Sequence, residues 1–117
     1  MRYKILLVDD SPELLKAYVT FLQSTTSYEV RTATSARAAL DIVRTWRPDV
    51  VVTDVIMPDM PGPELARRLE LPTLFVSGYT ADTVHGRGSL PPGSAFLEKP
   101  FDSDTLLRTV RELLDAR

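Results

Sequence analysis

Short apolar runs alternate with helical stripes along the whole chain, and this alternation restricts the fold more than any other feature of the sequence. Ile5-Leu6-Leu7-Val8 is a run of strand length, stopped by Asp9-Asp10-Ser11-Pro12. Leu14, Leu15, Tyr18, Val19 and Leu22 then recur at helical spacing. Ser11 suits the cap of that helix and Pro12 its first position. Tyr28 to Thr32 reads as a weaker strand, and Ser35 caps a helix with Ala36, Ala39, Leu40 and Val43 on one face. Val50-Val51-Val52-Thr53 is β-branched throughout, as in a strand covered on both faces. A short helix fits Glu64 to Glu70, after a loop from Met57 to Gly62 with Pro58 and Pro61. Leu74-Phe75-Val76 and Ala95-Phe96-Leu97 complete the strands, separated by a weakly patterned stretch from Thr80 to Arg87 and a turn at Leu90-Pro91-Pro92-Gly93. Asp102 caps a last helix whose stripe is Leu106, Leu107, Val110, Leu113 and Leu114.

Five strand–helix units in series imply a parallel sheet covered by helices on both faces. With 117 residues, no linker and no low-complexity segment, the expectation is a single domain over 1–117. Hydrophobic residues make up 44% and charged residues 26%, the balance of a soluble globular protein. The formal charge of −2 argues against non-specific nucleic-acid binding. The absence of cysteine excludes disulfides and thiolate metal sites. The first apolar run is too short for a signal peptide, and none approaches the length of a membrane span, so a cytoplasmic protein is expected.

Ligands of an open parallel sheet bind beyond the carboxyl ends of its strands. Four of the five apolar runs lead into polar groups there: Asp9-Asp10, Asp54, Ser77 and Lys99. Each has an ordinary reading when taken alone. Asp9 and Asp10 suit a helix start, Asp54 an Asx turn, Ser77-Gly78 a turn pair and Lys99-Pro100 a loop. Their arrival at one end of one sheet is what favours a site. Three close carboxylates repel one another unless a cation lies among them, and an oxygen donor set open to water suits Mg2+ better than zinc. An aspartate in such a setting is a nucleophile toward phosphorus. Lys99 would add positive charge and Ser77 a hydrogen bond to a phosphoryl group.

With Leu7-Val8-Asp9-Asp10, Asp54-Val55-Ile56-Met57-Pro58, Gly62, Ser77-Gly78 and Lys99-Pro100-Phe101, the chain resembles the receiver domains of two-component response regulators over its full length. The stretches Val76 to Asp82 and Ala95 to Phe101 are most similar to receivers attached to hybrid sensor histidine kinases. The resemblance implies a flavodoxin-like sheet of order 2-1-3-4-5. It also implies phosphorylation of Asp54 by a histidine kinase or a histidine phosphotransfer domain, followed by a conformational switch. By the same resemblance Asp9, Asp10, Asp54 and the main-chain carbonyl of Ile56 hold Mg2+, with Asp9 acting mainly through water. Ser77, Gly78 and Lys99 bind the phosphoryl group, and Phe96 is the switch aromatic, although a strand aromatic has an ordinary core reading too.

Some features depart from the family pattern. The segment from Gly62 to Leu74 is short enough to truncate the third helix, and Pro61 stands where a polar residue is common. Gly86, Gly88, Pro91 and Pro92 weaken a fourth helix. His85 reads as an exposed loop residue and Trp46 as a packing residue at the end of the second helix.

Rival functions fit less well. An aspartyl phosphatase needs an acid two residues after its nucleophile, where this chain has Ile56. A nucleotide or flavin site needs a glycine-rich first turn, where this chain has Asp9-Asp10-Ser11-Pro12. A module that works without phosphorylation would have no use for the full acidic set. The expectation is a phosphoacceptor that catalyses only its own phosphorylation and dephosphorylation, with no output domain, no direct DNA binding and no membrane contact. A stand-alone protein, a piece of a longer chain and a weak homodimer all stay open.

Overall fold

The computed structural model describes residues 2–24, 27–78 and 90–116. The strands β1 (Tyr3–Val8), β2 (Tyr28–Ala33), β3 (Val50–Asp54), β4 (Thr73–Ser77) and β5 (Ala95–Glu98) form one parallel sheet in the order β2-β1-β3-β4-β5. The helices are α1 (Pro12–Gln23), α2 (Ala36–Val43), α3 (Gly62–Leu69) and α4 (Ser103–Asp115). This is the order the resemblance implied. The expectation of a weak fourth helix and the placing of His85 fall on 79–89 and lie outside the described residues.

Side chains alternate across a strand, and the two faces of the sheet are sorted accordingly. Ile5, Leu7, Val50, Val52, Leu74 and Val76 face one side, against Leu15, Tyr18 and Leu22 of α1 and Leu106, Val110 and Leu114 of α4. Leu6, Val8 and Val51 face the other, against Ala36 and Ala39 of α2 and Leu65 and Leu69 of α3. Val55, Ala66 and Phe75 form a further cluster, with Leu90 and Phe96 packed on it. β2 has one neighbour, which accounts for its weak signal: Glu29, Arg31 and Thr32 interrupt its apolar pattern because an edge strand need not be covered.

The caps fall where the sequence places them. Ser11 Oγ accepts from Leu14 N–H at 3.3 Å, Ser35 Oγ from Ala38 N–H at 3.0 Å and Asp102 Oδ1 from Thr105 N–H at 2.7 Å. The third helix is short, at eight residues, but it starts at Gly62, two residues before the expected start. Pro63 lies in its first turn, where the N–H that proline lacks would have no helical partner. Glu70 ends it in the left-handed conformation at φ 54°. Trp46 is a buried packing residue, but it sits beyond α2, donating from Nε1 to Glu29 at 2.7 Å beneath the Arg31 guanidinium.

Candidate functional site

Three strand ends build the site. β1 delivers Asp9, β3 ends on Asp54, and β5 leads to Lys99. The Lys99 ammonium lies 3.2 Å from Asp54 Oδ2 and 3.4 Å from Asp9 Oδ2. The remaining carboxylate oxygens are held in matching ways. Asp9 Oδ1 accepts from Ser11 N–H at 2.9 Å, and Asp54 Oδ1 accepts from Ile56 N–H at 3.1 Å. Each carboxylate thus has one oxygen on a backbone N–H two residues ahead and the other on Lys99.

Local structure fixes these positions. Asp9 N–H donates to Ala33 O at 3.1 Å, extending the pairing of β1 with β2 by one residue. Lys99 N–H donates to Ser77 O at 2.7 Å, which ties the lysine to the end of β4. Gly62 N–H donates to Val55 O at 2.8 Å and closes the loop after Asp54. A Cβ on Gly62 would run into the Asp54 carbonyl oxygen, so this position demands glycine.

The site carries a negative field. Burial pushes the Asp9 carboxyl above its ordinary value, a shift opposed by the Ser11 N–H and by Lys99 and reinforced by the charge of Asp54. The buried Tyr18 phenol is also pushed up, first by desolvation and then by the charges of Asp9 and Asp54. Its ring stacks on Phe101, two residues past Lys99, with centroids 5.8 Å apart.

The other expected site residues gather less tightly. Ser77 is buried as the last residue of β4, and Gly78 follows it, exposed. Asp10 is exposed, and Ile56 is exposed in the loop after Asp54. Phe96 is half-buried beside Phe75, its partner in register, on the cluster of Val55 and Ala66. Where three converging carboxylates were expected, two are held on one cation. Among the described residues no three His, Cys, Asp or Glu side chains lie close enough to hold a metal ion. Lys99 is shared by the two enclosed carboxylates, whereas Asp10 is exposed to water.

The sequence profile of the response regulator receiver domain matches residues 5–111. The chain belongs to this family. It is similar to the response regulator Rre1 of Synechocystis, at 34% identity over 94% of this chain and 51% of that protein. It is similar to the sensor kinase CckA of Brucella abortus, at 37% identity over 95% of this chain and 12% of that one. The receiver thus spans about half of one relative and a small part of the other. Among solved structures, the chemotaxis response regulator CheY4 of Vibrio cholerae superposes with a TM-score of 0.86 at 32% identity, covering 97% of this chain and 100% of that one.

The carboxylate oxygens of Asp9 and Asp54 are hard donors of the kind a divalent cation takes, and a cationic group of the protein already lies between them. One feature of the site was not foreseen. Asp59, in the loop after Asp54, accepts from Ala36 N–H at 3.1 Å and Arg37 N–H at 2.9 Å, at the start of α2. The sequence signal available was an acidic residue between prolines in that loop; its partner helix lies more than twenty positions earlier. Among the described residues no helix is long and apolar enough to cross a membrane.

Proposed function

We propose that this receiver takes a phosphoryl group onto Asp54 from the phosphohistidine of a histidine kinase or a histidine phosphotransfer domain, in a Mg2+-dependent reaction, and signals through the resulting change of shape. The observation that carries this reading is the Asp54 carboxylate at the end of β3, with one oxygen on a backbone N–H and the other on the Lys99 ammonium.

Held in this way, Asp54 is confined to few rotamers and presents its oxygens at the open end of the sheet. An Asp54 oxygen attacks phosphorus, the phosphorus–nitrogen bond of the donor breaks, and the electron pair leaves on the imidazole, which keeps a proton. Asp9, Asp10, Asp54 and the Ile56 carbonyl would hold Mg2+, Asp9 mainly through water. The chemistry supplied by the ion is neutralisation of charge on the phosphoryl oxygens. Lys99 changes partners from the Asp54 carboxylate to the new phosphoryl group, and Ser77 and the Gly78 N–H donate hydrogen bonds to it. Phe96 turns inward in the same event, on the cluster shared with Val55 and Phe75. The protein is a signalling phosphoacceptor, and we assign to it only self-catalysed phosphorylation and dephosphorylation. We place it in the cytoplasm, without direct DNA binding.

The test is incubation with acetyl phosphate or phosphoramidate and Mg2+, read by intact mass. Wild type should gain one phosphoryl group and Asp54→Asn none. Equal labelling of the two proteins overturns the assignment of Asp54.

A further inference from the structure

We propose that Asp59 is a positioning residue, which locks the phosphoacceptor loop onto α2 and thereby sets where the Ile56 carbonyl stands relative to the site carboxylates. The inference rests on the reading of Asp54 and Ile56 as parts of a Mg2+ site.

The loop runs from Val55 to Pro61, and its two ends are joined by the bond from Gly62 N–H to Val55 O. Met57 is buried in the cluster that includes Val8 and Ala36, which anchors the apolar part of the loop. Asp59 fixes its polar tip, with both carboxylate oxygens engaged: Oδ1 takes Ala36 N–H and Oδ2 takes Arg37 N–H. Those N–H groups have no partner inside their own helix, and the positive end of the helix favours a carboxylate beside it. The same two bonds hold the Asp59 carboxyl below its ordinary value, so that it stays ionised across the neutral range.

Asp59 completes a closed circuit around the site. From Asp54 the circuit passes through Ile56 N–H and the loop to Asp59, and then across to Ala36 and Arg37. The turn before α2 leads back to Ala33, whose carbonyl accepts from Asp9 N–H. Asp9 returns to Asp54 through Lys99. If Asp59 is cut, the loop keeps buried Met57, the bond from Ile56 N–H to Asp54 and the closure of its ends, but loses the two bonds to α2. Ser35 caps the same helix through its own bond from Ala38 N–H, which runs within the helix start and not to Asp59, and this separates the two roles.

The experiment is a magnesium titration of wild type, Asp59→Ala, Asp59→Asn and Ser35→Ala, followed by the amide shifts of Asp54 and Ile56. Asp59→Ala should weaken Mg2+ binding about 3- to 10-fold, a smaller loss than for partners bonded directly to a ligand. Asp59→Asn, which keeps one acceptor, should fall between Asp59→Ala and wild type. Ser35→Ala should stay within about twofold of wild type, because loss of a cap acts on the helix and not on the ligand. Unchanged affinity in Asp59→Ala, or an equal loss in Ser35→Ala, overturns the positioning role while leaving the metal site standing. Absence of any Mg2+ response in wild type overturns the metal site and the positioning role together.

Discussion

Lys99 and Asp54 neutralise each other across β4, with the ammonium from the end of β5 at 3.2 Å from the carboxylate at the end of β3. The pair is well shielded, since the lysine side chain is 23% exposed and the aspartate 18%. Lys99 also serves the more deeply enclosed Asp9, so one cation offsets two carboxylates.

Removing that cation should therefore destabilise the metal-free protein. Lys99→Met keeps the aliphatic stem and leaves Asp9 and Asp54 facing each other without a counter-charge. The loss should be about 2 kcal/mol, below the 3–5 kcal/mol of a fully buried pair because water still reaches the site. Denaturant titration in chelator measures it. Millimolar Mg2+ should then restore more stability to the variant than it adds to wild type. A variant as stable as wild type without metal would show that the ion pair contributes nothing.

Gly62→Ala should disturb both the fold and the site. The added methyl meets the Asp54 carbonyl oxygen, a backbone atom of the central strand that cannot swing aside. Relief by backbone movement should cost about 1–3 kcal/mol, partly offset by the better helix propensity of alanine. Gly93→Ala is the control, because Gly93 has φ +82° and open space around its Cα. It should cost about 1 kcal/mol through its backbone conformation alone and leave the Asp54 amide shift unchanged. An unmoved Asp54 amide in Gly62→Ala would contradict the close approach.

These two positions mark how far the sequence could be read. Gly62 and Lys99 stood out through motif spacing, and the apolar runs showed which strand ends would carry Asp9, Asp54 and Ser77. The caps at Ser11, Ser35 and Asp102 were legible because a cap is a contact over three residues. The bonds from Asp59 to α2 and the stacking of Tyr18 on Phe101 were not, since they join segments distant in sequence that only the finished sheet brings together. The limited convergence of Asp10 was also hidden. Adjacent residues in sequence suggested adjacent charges, but Asp9 is enclosed and Asp10 is left in water.

Asp102 gives a prediction in pH. Hydrogen bonding to Thr105 holds its carboxyl below the ordinary value of 3.8. A group with a depressed folded value stabilises the protein fully above its unfolded value and loses that contribution as pH falls through the folded one. Asp102→Asn keeps the accepting oxygen but does not titrate. Wild type should therefore be the more stable of the two near pH 7, and its margin should shrink below the ordinary carboxylate value, from about pH 4 downward. Paired denaturation curves across that range test this. A margin that grows on acidification would reverse the assigned direction.

Mg2+ should stabilise the unphosphorylated receiver, and Asp10 is the residue that makes this decisive. Asp9 and Asp54 share the single charge of Lys99, so one negative charge between them is left for a metal to meet. Asp10 is exposed, so Asp10→Ala should stay within about 0.5 kcal/mol of wild type in chelator, as surface substitutions do. A cation that binds the folded site and not the unfolded chain adds stability by mass action, about 2.7 kcal/mol at a hundredfold excess over its dissociation constant. If Asp10 is a direct ligand, its loss removes most of that gain while the fold stays intact. Asp54→Ala should also lose the gain, but its metal-free melting reflects two opposing changes, relief of repulsion with Asp9 and loss of one partner for Lys99. The measurement is a thermal melt of the three proteins in chelator and in millimolar Mg2+. A full Mg2+ rise in Asp10→Ala would mean that the ion is held by Asp9 and Asp54 without it. No rise in wild type would mean that Lys99 outcompetes the ion for both carboxylates, and the charge neutralisation required for phosphoryl transfer would then have to come from Lys99 itself.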